Sequence, residues 1–414
     1  METLKIILDD VIKDIAAGPF GSNLKVSCFV ESGFPIIDGA NLKGYKVTDN
    51  VTKFVTEEKA NSLSRSIAHR HDVVVTISGT LGQIAYIPDD SEYEAYLCSQ
   101  RQFRVTFDED KVYVPFLVFY FHTREGQHKI LSFANQTGVP ALSQPLKNFR
   151  QIEFDLPALN DQKKIAGIIE LINEKIELNE KINNVLFTQM SEIYKSWYKN
   201  FSLCTTMKYI STEYGSIPEG WHYELLGNLC QSVSIKHTFK KDELIFLNTS
   251  DIENGRFLHS DYMPVNEMPG QAKKTIVPND ILYSEIRPVN RHFALVTFPA
   301  DDYVVSTKLM VIRSKKFDYL RLYHFLTSQD VIDELQLQAE SRSGTFPQIR
   351  FDNVSKLPML IADKETESKF TELLHKLYDQ IHQNNLENRY LEILSDNLLP
   401  KLMSGEFDLS DIFI

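Results

Sequence analysis

The densest recognition chemistry in the sequence is Arg287-Pro-Val-Asn-Arg291, which puts two guanidiniums and an amide on one proline-bearing turn. A guanidinium is a planar fork of donors that fits paired acceptor atoms, and an amide sets a donor beside an acceptor. Such a turn binds and does not react. The competing reading is a surface turn whose arginines meet carboxylates. Groupings that would carry catalysis are missing from the sequence. It has no Gly-x-x-x-x-Gly-Lys-Ser/Thr phosphate loop, no His-Glu-x-x-His, no Gly-x-Ser-x-Gly elbow and no paired-cysteine metal motif. The Asn-Pro-Pro-aromatic motif of amino methyltransferases and an acidic-plus-lysine nuclease cluster are also lacking. Gly79-Thr-Leu-Gly82 has no following Lys-Ser/Thr and reads as a plain turn, and His69-Arg70-His71 reads as a surface turn before a buried strand. Cys28, Cys98, Cys204 and Cys230 lie far apart and read as buried thiols in a reducing compartment.

The elements that position such turns follow from a duplicated spacing. Ile165, Ile169, Ile172, Ile176, Asn179, Asn183, Leu186, Met190, Ile193 and Trp197 follow one another at alternating steps of four and three. Phe370, Leu374, Leu377, Ile381, Asn384, Asn388, Leu391, Ser395, Leu398 and Leu402 do the same, 205 residues on (165 to 370). This is the 3.5-residue stripe of a coiled-coil helix, broken by asparagine at the same two steps in both copies. Each seam predicts a helix roughly 50 Å long at 1.5 Å per residue. Each should begin just after an acidic residue, Asp161 or Asp363. A lone stripe of this length has nothing to pack on, so the two helices are expected to pair. Antiparallel pairing would bring Asn179 to Asn388 and Asn183 to Asn384, four buried amides that would set the register; the alternative leaves them at a wet edge of the seam.

A globular unit of mixed α/β character precedes each helix. In the first, the pattern predicts a helical opening from Leu8 to Ala17, broken at Gly18-Pro19-Phe20-Gly21. A short strand and turn (34–42), a hairpin (72–87, turn at 78–82), a strand at 102–107, a helix from Val114 continuing to Leu131 and a loop at 135–140 follow. The second unit repeats the plan: 245–252 answers 35–42, 280–284 answers 72–76, 306–312 answers 99–105, and 341–347 stands in place of the 135–140 loop. The expected architecture is α+β. Two similar α/β domains, 1–157 and 204–361, are followed by helices in 158–203 and 362–414 that pair as an antiparallel coiled coil with a pseudo-twofold internal repeat.

At 414 residues, 43% hydrophobic and 24% charged, the chain has the composition of a soluble protein of two or three domains. No apolar run spans a bilayer and no signal peptide is visible at the start, so a cytoplasmic location is expected. The net charge of −12 argues against a nucleic-acid partner at first sight. Its distribution weakens that argument, because residues 362–414 hold 11 acidic and 5 basic residues, half of the whole excess.

In order along the chain, Gly18-Pro-Phe-Gly-Ser22, Ile36-Ile-Asp-Gly-Ala-Asn-Leu42, Asp72 through Gly82, Leu156-Pro-Ala-Leu-Asn-Asp-Gln-Lys-Lys-Ile165, Ser196-Trp-Tyr-Lys-Asn-Phe201, Ile217-Pro-Glu-Gly-Trp221 and Leu398-Leu-Pro-Lys-Leu-Met-Ser-Gly-Glu406 form a set. As a set they resemble the DNA-specificity subunit of type I restriction–modification enzymes over nearly the whole chain. One departure is Ala362-Asp-Lys-Glu-Thr-Glu367, which replaces the proline-led, Gln-containing start of the first helix. The resemblance implies two target-recognition domains that bind double-stranded DNA, conserved spacer helices, and no catalysis or cofactor in this chain. S-adenosylmethionine chemistry would reside in two partner DNA-methyltransferase (modification) subunits, with motor-nuclease (restriction) subunits joining for cleavage and no membrane involved.

Given that resemblance, loop side chains that hydrogen-bond base edges become the candidate site. In the first unit these are Ser22, Asn23, Thr80, Gln83, Gln136 and Gln144. In the second they are Arg287, Asn290, Arg291, Arg342, Ser343, Thr345 and Gln348. Lys147, Arg150, Arg350 and Lys356 fit phosphate contacts or ordinary surface charge. A different class of protein, a non-catalytic coiled-coil scaffold with two α/β modules that bind other proteins, suits the acidic balance slightly better. An enzyme without recognisable motifs is a third reading.

Overall fold

The computed structural model describes residues 3–135, 140–203, 208–342 and 346–407, and for Arg342 the backbone alone. The chain divides into two compact units, Met1–Leu178 with Glu387–Ile414, and Asn179–Leu386. Each unit therefore holds one α/β domain and a portion of both long helices, Leu159–Tyr194 and Lys364–Ser404.

The first unit is built on a four-stranded antiparallel sheet ordered Ile12–Ala17, Gln102–Phe107, Val73–Thr76, Ile84–Tyr86. The second unit repeats it as Cys230–Val233, Leu309–Ser314, Ile281–Ser284, Phe293–Leu295. Even the register is copied: Val73 faces Val105 as Ile281 faces Ile312, and Val75 faces Phe103 as Tyr283 faces Met310. These central strands are runs of buried β-branched and aromatic residues, which suit a sheet covered on both faces. A second sheet in each unit contains one parallel pair, Ile36 opposite Leu97 and Phe246 opposite Val304. The strand-leading aspartates are stapled alike: Asp72 accepts the His69 N–H and Asp280 the Val277 N–H, both at 2.9 Å.

Three expectations need correction. Leu8–Ala17 is not a helix: Leu8–Asp10 is one 3₁₀ turn and Ile12–Ala17 is an edge strand paired with Gln102–Phe107. The helix after Val114 does not continue unbroken, because Thr123 is extended and its hydroxyl starts a new helix, Arg124–Leu131, by accepting the Gly126 N–H at 3.1 Å. The first long helix begins at Leu159, which puts Asp161 inside its first turn. Asp363 does precede the second helix, accepting the N–H groups of Glu365 and Thr366 at 3.0 and 3.1 Å.

In both units the strand pair that closes the domain feeds a long helix: Thr3–Ile7 with Glu153–Pro157 in the first, His222–Leu225 with Pro358–Ile361 in the second. Helix portions run antiparallel within each unit. In the first, Lys175 pairs with Glu387 at 3.1 Å, while Ile165 and Ile169 share a core with Leu399 and Leu402. In the second, Asn183, Phe187 and Tyr194 meet Asn384, Tyr378 and Phe370 in turn. The Asn384 Nδ2 donates to Asn183 Oδ1 at 2.8 Å, and the Asn183 Nδ2 to Asn385 Oδ1 at 2.9 Å. Asn179 and Asn388 are buried too, and Asn388 reaches the Ile176 carbonyl at 3.5 Å in the first unit.

A polar lock sits at the start of each helix. Gln162 is fully buried; its Oε1 accepts the Tyr113 N–H at 2.8 Å, and its Nε2 donates to the Pro157 and Lys111 carbonyls at 2.9 and 3.0 Å. Its counterpart 205 residues on is Glu367 (162 to 367). Glu367 accepts from Arg321 Nε at 2.8 Å, the Tyr198 hydroxyl at 2.7 Å and the Ala362 N–H at 3.1 Å. Arg321 is fully buried against the rings of Tyr198, Tyr194 and Phe370, with its guanidinium carbon 4.4, 5.3 and 5.3 Å from their centroids. Burial alone would lower its pKa, but Glu367 and the two tyrosines hold it above the ordinary arginine value. His324 packs beside this group, and burial together with Arg321 pushes its pKa down to about 3.

Candidate nucleic-acid interface

Four segments gather at one end of the first unit's antiparallel sheet: 18–23, 78–82, 99–101 and 140–144. Gly18 donates its N–H to the Gln102 carbonyl at 2.8 Å, and a Cβ there would lie 1.9 Å from the Ser99 carbonyl oxygen, so only glycine permits this approach. Ile77 donates to the Arg101 carbonyl at 2.6 Å, Leu142 to that of Ile77 at 2.8 Å, and Gly79 to that of Pro140 at 3.0 Å.

The second unit carries the same ladder. Glu285 donates to the Lys308 carbonyl at 2.9 Å, Ile349 to that of Glu285 at 2.9 Å, and Arg287 to that of Pro347 at 3.2 Å. Every donor and acceptor is the residue 207 or 208 positions beyond its counterpart. The bridge Ser78–Ala141 likewise reappears as Ile286–Gln348. One backbone frame thus presents two unrelated sets of side chains. Gly79 and Arg287 occupy the same corner with positive φ, +99° and +43°. Glycine takes that region freely, whereas a left-handed arginine costs about 1 kcal/mol or more. Strain tolerated in an exposed arginine at a loop corner marks a side chain whose direction matters.

The candidate residues fall into groups on this frame. Ser22, Asn23, Thr80 and Gln144 are exposed on the first unit's segments, Gln144 with φ +40° at the start of the short helix Pro145–Arg150. Gln83 is partly buried; it donates to the Gly39 carbonyl at 2.9 Å and accepts from the Thr76 hydroxyl at 3.1 Å, so its amide binds the frame together. In the second unit Arg287 and Asn290 are exposed. Arg291 holds Gln329 of the neighbouring helix Gln329–Arg342, and the Val289 N–H donates to Gln336 on the same helix. That helix is the platform of the turn. Gln348 accepts from Lys308 at 3.4 Å. Gln136, Ser343 and Thr345 lie outside the described residues, as does the side chain of Arg342. Of the flanking cations, Arg150 holds Asp9 and Lys356 holds Asp352.

Arg101 and Lys308 were absent from the candidates, yet they occupy one frame position in the two units. The alignment of 99–105 with 306–312 already paired them, and that was the available signal. Among the described residues no group of three His, Cys, Asp or Glu side chains could hold a metal, and no helix is long and apolar enough to cross a membrane. His71 bridges Glu109 and Asp89 at 3.0 and 2.7 Å. Although burial opposes it, these carboxylates raise its pKa.

Comparison with known proteins bears directly on this repeated frame. A family model described as the type I restriction modification DNA specificity domain matches twice, over residues 14–187 and 218–390. The chain belongs to this family. It is a DNA-specificity chain with two recognition domains, and its frame ladders lie one in each matched segment. The type I restriction enzyme HindI specificity subunit of Haemophilus influenzae is 42% identical over 181 residues, 43% of this chain and 39% of the relative's length. The MjaIX specificity subunit of Methanocaldococcus jannaschii is 20% identical over 419 residues, covering 97% of this chain and 93% of that one. The crystal structure of a type I S subunit from M. genitalium shares the fold, with a TM-score of 0.55 at 13% identity, covering 97% and 96% of the two chains.

Proposed function

We propose that each recognition domain reads one half of an asymmetric, bipartite DNA site, and that the paired helices set the unread gap and dock two methyltransferase subunits. The observation that carries this reading is the frame itself: two identical backbone ladders with different side chains imply two different words. This chain would contribute recognition alone, in the cytoplasm. Methyl transfer to adenine from S-adenosylmethionine belongs to the docked subunits, and cleavage to motor-nuclease subunits that join them. A stiff spacer demands a fixed gap, because B-DNA presents the same groove about every 34 Å.

Sequencing of methylated genomic DNA from the host tests this reading. The expected result is one split word with unequal halves and a constant gap; a continuous or palindromic word would refute it. Inserting four residues into one long helix should change the gap or abolish methylation, and an unchanged gap would remove the helices as the ruler. Binding to duplex DNA should also fall steeply with salt as counterions are released, which a protein-binding scaffold would not show.

A further inference from the structure

We infer that Arg101 is the specificity-determining cation of the first recognition domain, and that it reads a guanine in that domain's half of the site. The inference rests on the DNA-reading role proposed above and extends it to one residue. In a chain of net charge −12, segments 18–23, 78–82, 99–101 and 140–144 contain no carboxylate and a single cation, Arg101. Arg101 is exposed, and among the described residues its guanidinium has no hydrogen bond or ion pair. Three other arginines of the domain are engaged, Arg104 with Asp14, Arg150 with Asp9 and Arg70 with the Ser91 carbonyl, while Arg65 and Arg124 lie outside these four segments.

Its placement is specific as well. The Arg101 carbonyl is held by the Ile77 N–H, and its Nη1 lies 3.9 Å from where a Cβ of Gly79 would be. The side chain therefore runs along the bare backbone of the hairpin turn, and the lack of a side chain at Gly79 leaves that face open. A guanidinium displayed there, free of competing carboxylates, matches the O6 and N7 acceptors that guanine presents in the major groove.

The second domain divides the same work differently. Lys308, at the equivalent position, turns to Glu285 at 3.7 Å and Gln348 at 3.4 Å, both residues of its own frame. The corner that is Gly79 in the first domain is Arg287 in the second. The cation at the strand turn serves the frame where the hairpin corner has its own arginine, and serves the ligand where the corner is bare.

The test is selection from a randomised duplex DNA library by the full chain assembled with its methyltransferase subunits, comparing the native chain with Arg101→Ala, Arg101→Lys and Lys308→Ala. Arg101→Ala should lower the preference for guanine at one position of one half-word by roughly 5- to 150-fold and leave the other half-word intact. Arg101→Lys should keep affinity for random duplex but lose most of that preference, because a point charge cannot make the paired contact. Lys308→Ala should leave both half-words readable. An unchanged word in Arg101→Ala would overturn the inference, and so would equal weakening on selected and random DNA, which marks a phosphate contact. Native chain that enriches no word would sink the DNA-reading role itself, a result distinct from either.

Discussion

The two helix starts do one job with opposite chemistry. Around Gln162 the lock is neutral: an amide both donates and accepts, so it satisfies one N–H and two carbonyls with no help, and its surroundings are Ile165, Ala166, Leu399 and Leu402. Around Glu367 the lock is charged: a carboxylate can only accept, so donors must be brought to it. Arg321 supplies them from the position that is Phe116 in the first unit, counting from the matched helix starts Val114 and Tyr319, and aromatic rings stand on the paired helices. Tyr194 and Phe370 stand where the first unit has Leu399 and Ile165. A single exchange of Gln for Glu at the hinge of the repeat is thus accompanied by coordinated changes at three other positions, Arg321, Tyr194 and Phe370. The departure from the expected helix start at 362–367 is local chemistry, balanced within its own unit.

Substitutions at the locks would break or sharpen that contrast. The largest effect is expected from Arg321→Ala, which strands a buried carboxylate and should destabilise the second unit by about 3–5 kcal/mol. Urea unfolding of the full chain measures it. The double variant Arg321→Met with Glu367→Gln should lose less than the two single changes summed, and full additivity would mean that the pair is not coupled.

Next is Gln162→Ala, which leaves the Tyr113 N–H and two carbonyls without their partner and should cost about 2–3 kcal/mol in the first unit. Gln162→Glu should be no milder, because the position equivalent to Arg321 is Phe116, which cannot answer a charge. Equal tolerance of glutamate would erase the distinction between the locks.

A pH effect follows. His324 is held neutral in the fold, its pKa lowered by burial and by Arg321 from 6.5 to about 3. The unfolded chain therefore takes up a proton first. Stability from this group is complete above pH 6.5 and is lost progressively as pH falls toward 3. The corresponding residue of the first unit is Phe119, which carries no charge to titrate. His324→Leu should flatten the decline of the second unit's urea midpoint across that window, and an unaltered decline would place its acid sensitivity elsewhere.

The smallest effect is expected at the seam. Replacing Asn183 and Asn384 together by Leu should raise stability by about 1 kcal/mol while loosening the register, seen as faster amide exchange along the helices. A loss of stability would show that the amides hold the helices together as well as align them.

Much of this architecture was legible in the sequence because the determining signals are local and occur twice. The 3.5-residue seams and the strand Gln102–Phe107 needed only spacing and β-branched content. Leu8–Ala17 was not legible, since Leu8, Ile12 and Ile15 fall at helical steps of four and three. Pairing with a distant strand overrides that local pattern. The site was legible as a set of loops and less so as individual side chains. Gln83 has the composition of a reader but is bound into the frame, and Arg101 stands out only when its lack of competing partners is known. Those properties depend on neighbours tens of residues away.

The hairpin corner constrains how such a chain could acquire a new word. Gly79 holds φ at +99°, where any other side chain strains, while Arg287 sits at +43°, where a side chain can be borne. Moving the second domain's corner arginine into the first would therefore require transplanting the whole turn together with its supporting helix. Point changes can retune a letter on each ladder, but trading vocabulary between the halves calls for wholesale cassette exchange.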